Sequence, residues 1–131
     1  MNMEYKHSEL TSGIIKAFYD VYNELGYGFL EKVYENALSY ELRKQNYSVQ
    51  QQALIEVYYD GLQVGQYFAD LLVNDTVILE LKAAEGIAEE HEAQLLNYLK
   101  ATDIDIGLLL NFGPKPQIKR KVFETARDKQ G

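Results

Sequence analysis

Apolar positions in the first third of the chain recur every three or four residues. Over residues 8–25 and 29–45 this spacing predicts two amphipathic helices. Ser8 suits the N-cap of the first helix, and Gly26 suits its end. The segment Gly26-Tyr27-Gly28 predicts a tight bend between the helices. The apolar stripe predicted for the second helix begins with Leu30, Val33 and Tyr34.

Alternating and continuous apolar runs predict strands in the rest of the chain. Three strands in hairpin succession are predicted over residues 49–59, 62–73 and 76–83, and Asp60-Gly61 is a strong hairpin signal between the first two. A helix is predicted over residues 85–102, and a buried strand, parallel to the third, over 105–112. A short basic helix over residues 117–128 is predicted to close the fold. These elements predict one α/β domain over residues 1–131, with a mixed sheet flanked by helices.

Three charged residues interrupt the otherwise apolar second and third strands. Side chains alternate across a strand, so Glu80 and Lys82 share one face. Asp70 joins them only if it lies opposite Glu80 in an antiparallel pair. That register requires a three-residue loop with Asn74 or Asp75 in the left-handed region, because a two-residue loop would turn Asp70 to the other face.

The chemistry expected of such a cluster is metal-assisted hydrolysis. Two neighbouring carboxylates repel each other unless a cation lies between them, and oxygen ligands suit Mg²⁺ or Mn²⁺. Lys82 would then orient or deprotonate a water and stabilise negative charge on a phosphoryl group. The alternative interpretation of Asp70, Glu80 and Lys82 is an exposed hairpin face that carries a surface ion pair.

Residues on two predicted helices could also belong to the metal site, and each has an alternative structural role. Glu31 lies in the first turn of the second helix, where a carboxylate interacts favourably with the helix dipole; if that helix packs beside the charged strands, Glu31 is a third acid of the metal site. Gln94 and Tyr98 lie on adjacent turns of the third helix and could donate to phosphate oxygens. Their alternative role is ordinary packing on the helix surface. His91 lies near them and is interpreted as a solvated residue.

Composition and charge narrow the classes of function. The chain has 131 residues and no cysteine, which excludes disulfides and thiolate metal sites. No apolar run reaches the length of a membrane span, and the start lacks the pattern of a signal peptide, so a cytoplasmic protein is expected. The net charge of −7 argues against an open nucleic-acid-binding surface. Residues 114–131 carry a net charge of +4, and this basic segment could steer a polyanion or form a solvated last helix.

The order of elements, with D-x9-E-x-K on the second and third strands, resembles the PD-(D/E)XK nuclease superfamily and its restriction-endonuclease-like fold. More narrowly, Gly28-Phe29-Leu30-Glu31-Lys32-Val33-Tyr34 is similar to the signature of the GxxExxY protein family, a set of small prokaryotic proteins. The resemblance covers nearly the whole chain. It implies that Asp70 and Glu80 are metal-binding acids, that the Leu81 carbonyl is a backbone ligand and that Lys82 is a catalytic lysine. It also implies that Glu31 is a first-helix glutamate of the site and that Gln94 and Tyr98 form a Q-x-x-x-Y element.

Two functions follow from these observations. The first is a Mg²⁺-dependent or Mn²⁺-dependent nuclease that hydrolyses phosphodiester bonds of DNA or RNA with a metal-activated water. The second is a non-catalytic binding or assembly module that keeps the nuclease-like fold and holds a protein partner through its acidic surface and its 11 tyrosines. A single small domain rarely holds a duplex alone, so a homodimer or a larger partner is also expected. No membrane association is predicted.

Overall fold

Two helices open the fold, in a computed structural model that describes residues 7–124. Helix α1 spans Ser8–Leu25 and helix α2 spans Glu31–Lys44. The prediction that Ser8 caps α1 is wrong: Ser8 is already helical, and the N-cap is His7, which makes no side-chain capping bond. Gly26 ends α1 as predicted, with φ at 68° and its N–H donating to the Tyr22 carbonyl at 2.8 Å.

The buried face of α2 differs from the predicted stripe. Leu30 and Val33 are exposed, whereas Tyr34 is fully buried. Leu30 lies outside the helix, at its N-cap, and the Tyr34 hydroxyl donates to the Gly26 carbonyl at 2.7 Å. This bond fixes the rotation of α2 about its axis. The face turned inward therefore includes two polar side chains; its buried residues are Tyr34, Glu35, Leu38, Ser39 and Leu42.

One five-stranded mixed sheet forms the centre of the domain. Its strands are β1 (Val49–Tyr59), β2 (Leu62–Val73), β3 (Val77–Lys82), β4 (Ile106–Phe112) and β5 (Pro116–Val122), and they lie in that order. Strands β3 and β4 pair in parallel, and the other three neighbouring pairs of this sheet are antiparallel. Helix α3 (Glu89–Lys100) connects them. The predicted mixed sheet flanked by helices is confirmed.

The register predicted for β2 and β3 is confirmed. Leu72 lies opposite Ile78, and residues 74–76 form a three-residue loop. Both Asn74 and Asp75 are left-handed, with φ at 52° and 51°. The Asn74 side chain also accepts the N–H of Ser48 at 2.8 Å, which ties this loop to the start of β1. This register places Asp70 at the level of Glu80.

The predicted C-terminal helix is wrong over residues 117–122, which form most of strand β5; residues 125–128 of that prediction lie outside the described residues. Ile118 and Val122 are four residues apart, a spacing that suits a helix as well as a strand. In the sheet they pack against the core beside β4. Lys121 forms an ion pair with Glu92 of α3, with 2.7 Å between Nζ and Oε1.

Helix α3 begins four residues later than predicted. The segment after β3 is held by the side chain of the buried residue Asn111, whose Oδ1 accepts the N–H of Ala84 and whose Nδ2 donates to the Ala84 carbonyl, both at 3.0 Å. Gly113 lies against the same carbonyl, so closely that a Cβ would clash with it. These contacts hold residues 84–86 in a bend, and Ala88 is extended, so the helix begins only at Glu89. Over residues 7–124, no helix has the length and apolar character needed to cross a membrane.

Candidate active site

The sheet changes its packing face at the level of Asp70. Leu71 belongs to the core that α1 and α2 cover, whereas Ala69 belongs to the core beneath α3. Residues two apart share a face in a regular strand, so β2 must rotate at Asp70. Strand β1 rotates at the same level, where Gln52 is left-handed with φ at 53° and Ala53 pairs with Ala69. Asp70 therefore lies at a break in the regular sheet.

Two carboxylates bridge the strands at this break. The regular pairing of β2 and β3 extends only as far as Leu71 opposite Leu79. Beyond it, the Asp70 N–H donates to Glu80 Oε2, and the Leu81 N–H donates to Asp70 Oδ2, both at 2.8 Å. Both acids are thus held in place by the backbone of the neighbouring strand. The structure brings the two predicted acids together.

Burial and mutual repulsion oppose ionisation of this pair. Burial raises the pKa of Glu80 to about 8, and the negative charge of Asp70 adds to the increase. Burial also raises the pKa of Asp70, although the hydrogen bond from the Leu81 N–H acts in the opposite direction. Nearby positive charge would lower both values. The pair is therefore suited to a cationic ligand.

Lys82 provides such charge next to the two acids. It follows Glu80 by two positions on β3 and so lies on the same face of the strand. Its charge lowers the pKa of both Asp70 and Glu80. The side chain is half-buried at the end of the strand. The predicted set of two acids and a lysine is thus assembled on one surface.

Glu31 lies at the edge of this surface. It is exposed in the first turn of α2, and its charge makes a smaller contribution to the raised pKa of Glu80. Within residues 7–124, no group of three or more histidine or acidic side chains is arranged to hold a metal ion. The role of Glu31 as a third acid stays a prediction.

A buried glutamate, Glu35, lies next to the pair and was not predicted. It is 4% exposed, and its negative charge contributes to the raised pKa of Asp70. Its carboxylate accepts from the amides of Gln51 and Gln52 at 2.8 Å each, and from Lys32 at 3.0 Å. The Gln52 amide also lies 3.4 Å from Asp70 Oδ1. The sequence signal that could have indicated such a buried acceptor is the run of three consecutive glutamines near the start of the predicted strand.

Gln94 and Tyr98 lie on the α3 side of the carboxylates. The Gln94 amide donates to the Tyr98 hydroxyl at 3.0 Å. Burial raises the pKa of Tyr98 to about 12, and the charges of Glu80 and Asp70 add to the increase. Tyr98 therefore keeps its proton at neutral pH. His91 is half-buried instead of solvated, and its Nδ1 accepts the Ala88 N–H at 3.1 Å at the start of α3.

Comparisons with known proteins extend this description. Among solved structures, the chain is similar to one described as "Crystal structure of SSO0001", with a TM-score of 0.51 and 16% sequence identity. The similarity covers 71% of this chain and 50% of that chain, so the present chain spans about half the length of the protein it matches. At this identity the similarity concerns the fold alone. A search of curated proteins found no match.

A family model provides the assignment. The model is described as the PD-(D/E)XK nuclease superfamily, and it matches residues 8–121. This range contains both helices before the sheet, the two acids, Lys82 and nearly all of β5. Because the match covers most of the chain, the protein belongs to the PD-(D/E)XK nuclease superfamily.

Proposed function

We propose that this protein is a nuclease that uses a divalent metal ion, Mg²⁺ or Mn²⁺, to hydrolyse phosphodiester bonds of DNA or RNA. The observation that carries the proposal is the pairing of Asp70 and Glu80 across the break in the sheet, on the face that carries Lys82. A surface ion pair would not require a buried carboxylate, Glu80, next to a half-buried one, Asp70. Membership of the superfamily supports the same class of activity.

The donor set fits a hard divalent cation. Asp70 and Glu80 offer carboxylate oxygens, and Mg²⁺ commonly binds through one or two carboxylates while it keeps several waters. The raised pKa values of both acids indicate that their shared negative charge is poorly compensated within the chain. The Leu81 backbone carbonyl and Glu31 are further candidate ligands. When bound, such a cation supplies a Lewis acid and lowers the pKa of water.

Other side chains would act on the substrate directly. Lys82 would orient the attacking water and stabilise the negative charge that develops at phosphorus. Tyr98, which keeps its proton, would donate to a phosphate oxygen, and Gln94 would hold the Tyr98 hydroxyl in position. The catalytic and binding residues of the proposal are thus Asp70, Glu80, Lys82, Glu31, Gln94 and Tyr98.

A cleavage panel tests the proposal. Single-stranded and double-stranded DNA and RNA would be incubated with the wild type and either Mg²⁺ or Mn²⁺. At least one substrate should be cleaved, and both Asp70→Asn and Lys82→Ala should lower the rate at least about 100-fold, the scale expected when an electrostatic catalytic group is lost.

A matched control is available in the same hairpin. Asp75 is exposed in the loop between β2 and β3, and asparagine tolerates its left-handed conformation, so Asp75→Asn should cleave like the wild type. Full activity in both site variants would show that the residues are wrongly assigned. No cleavage of any substrate with either metal would contradict the nuclease proposal.

In that case the second candidate function, a protein-binding module, gains weight. One observation favours it: the outer face of the β1–β2 hairpin exposes apolar side chains. Leu54 and Phe68 lie opposite each other, on the side away from α3, and are 47% and 50% exposed. The hairpin also exposes Tyr59, Leu62 and Val64. Such a face suits a protein partner or a second copy of the chain. Static light scattering of the wild type and Phe68→Glu would detect the homodimer version.

A further inference from the structure

A cavity of about 640 Å³ lies between the β1–β2 hairpin and α3. Its walls carry tyrosine rings from three elements: Tyr58 of β1, Tyr67 of β2 and Tyr98 of α3. The rings of Tyr67 and Tyr98 are 5.8 Å apart at their centroids. Tyr58 and Tyr67 remain 57% and 48% exposed, so their faces are open to a ligand. We call this space the tyrosine cavity.

The lining of the tyrosine cavity suits a flat and neutral group. Glu90 and Lys100 are the charged residues of the lining, and their charges cancel. A phosphate would therefore gain little net attraction there. The amides of Gln94 and Asn97 offer hydrogen-bond donors and acceptors beside the aromatic rings. Aromatic faces with adjacent amide groups are the surroundings in which proteins hold unstacked nucleobases.

The tyrosine cavity adjoins the carboxylate pair. Tyr98 lines the cavity, and it packs in the same buried cluster as Ala69, the residue of β2 that precedes Asp70. Gln94 lines the cavity too, and it donates to the Tyr98 hydroxyl. A group held between the tyrosines would thus place its neighbouring backbone beside the acids. This arrangement connects a site for a base with a site for a phosphodiester.

We propose that the tyrosine cavity binds an unpaired nucleobase next to the phosphodiester at Asp70 and Glu80, so that the substrate is single-stranded nucleic acid. The inference rests on the proposed nuclease function, because it names the class of substrate for the same site. In a duplex, bases are stacked and paired, so a base could enter the cavity only after it had left the helix. A single strand presents its bases without that cost.

Fluorescence titration with a short single-stranded oligonucleotide tests the inference. One base would be 2-aminopurine, with abasic positions on both sides, so that it is unstacked in the free strand and its emission is quenched only when it stacks on an aromatic ring of the protein. The 131-residue chain would carry Asp70→Asn and Glu80→Gln, which prevent cleavage and remove the repulsion of phosphate, so no metal is needed. We expect saturable quenching. Adding Tyr58→Ala should weaken binding about 5-fold to 160-fold, the range for loss of one stacking partner.

Matched variants separate stacking from folding. Tyr59 is the next residue of β1 and does not line the tyrosine cavity, so Tyr59→Ala should bind like the parent. Tyr67→Phe keeps an aromatic ring and should also bind normally, whereas Tyr67→Leu keeps apolar packing against Tyr98 and should bind more weakly. Circular dichroism would confirm that every variant is folded.

The outcomes distinguish this inference from the nuclease proposal. Unquenched emission, or equal affinity of the Tyr58→Ala variant and its parent, would overturn the tyrosine cavity as a base site even if the wild type cleaves nucleic acid. Equal affinity for a duplex with the same sequence would overturn the preference for single strands. Quenching that depends on Tyr58 would support the base site even if no cleavage were detected, and the nuclease proposal alone would then fail.

Discussion

The backbone N–H of Asp70 donates a hydrogen bond of 2.8 Å to the Glu80 carboxylate on the neighbouring strand. The Asp70 carboxylate accepts in turn from the N–H of Leu81 at 2.8 Å. Two side chains thus replace ladder hydrogen bonds where β2 and β3 separate. Both acids therefore contribute hydrogen bonds to the sheet, so their protonation affects the stability of the fold.

Stability should depend on pH through Glu80. Its pKa is raised from 4.5 to about 8 in the folded protein, so between these values the folded state holds a proton that the unfolded chain releases. The free energy of unfolding should therefore fall as pH rises from about 4.5 to 8, by up to about 1.4 kcal/mol per pH unit for one proton. The raised pKa of Asp70 acts in the same direction. Urea unfolding across this range measures the slope.

Glu80→Gln should flatten this dependence, because glutamine cannot ionise and still accepts the Asp70 N–H. The variant should be more stable than the wild type at pH 8. Glu24→Gln replaces an exposed glutamate of α1 and should keep the slope of the wild type. An unchanged slope in Glu80→Gln would contradict the assignment of the pH dependence to this residue.

Glu35→Ala should destabilise the fold and change the pKa of Asp70. The amides of Gln51 and Gln52 would lose their buried acceptor, which we expect to cost about 1–3 kcal/mol. The pKa of Asp70 should fall, because the charge of Glu35 helps to raise it. Urea unfolding and carboxyl NMR titration measure the two effects. Glu41→Ala, which removes a solvent-screened ion pair with Lys44, should cost less stability than Glu35→Ala.

The loop between β2 and β3 should be sensitive at Asn74. Asn74→Ala places a less tolerant residue in the left-handed region and removes the acceptor of the Ser48 N–H, so we expect a loss of about 1–3 kcal/mol. Asn74→Gly relieves the backbone cost and should recover part of the loss. Urea midpoints of the two variants provide the comparison. A wild-type midpoint in Asn74→Ala would show that this loop does not constrain the register.

Local signals explain why the central hairpins were predictable. Asp60-Gly61 fixed one turn, and the requirement that Asp70 face Glu80 implied the three-residue loop that the structure contains. Strand β5 was missed because Ile118 and Val122 fit two periodicities. Only the packing of these two residues beside β4 distinguishes a strand from a helix, and this packing depends on residues outside the segment itself.

The surroundings of the acids depended on contacts between distant segments. Glu35 meets Gln52 across 17 positions of the chain, and the rotation of both strands that brings Gln52 toward Asp70 has no local sequence signature. The sequence therefore indicated the two acids but not the side chains that surround them. Glu35 and Gln52 come together only because α2 packs against β1.

Calorimetric titration of Mn²⁺ into the wild type and Asp70→Asn, with Asp75→Asn as the matched control, shows whether Asp70 and Glu80 hold a metal ion. We expect a saturable binding site in the wild type and in Asp75→Asn that is lost in Asp70→Asn. A wild type without a binding site, or an Asp70→Asn variant with the affinity of the wild type, would contradict the claim that Asp70 and Glu80 form a metal centre.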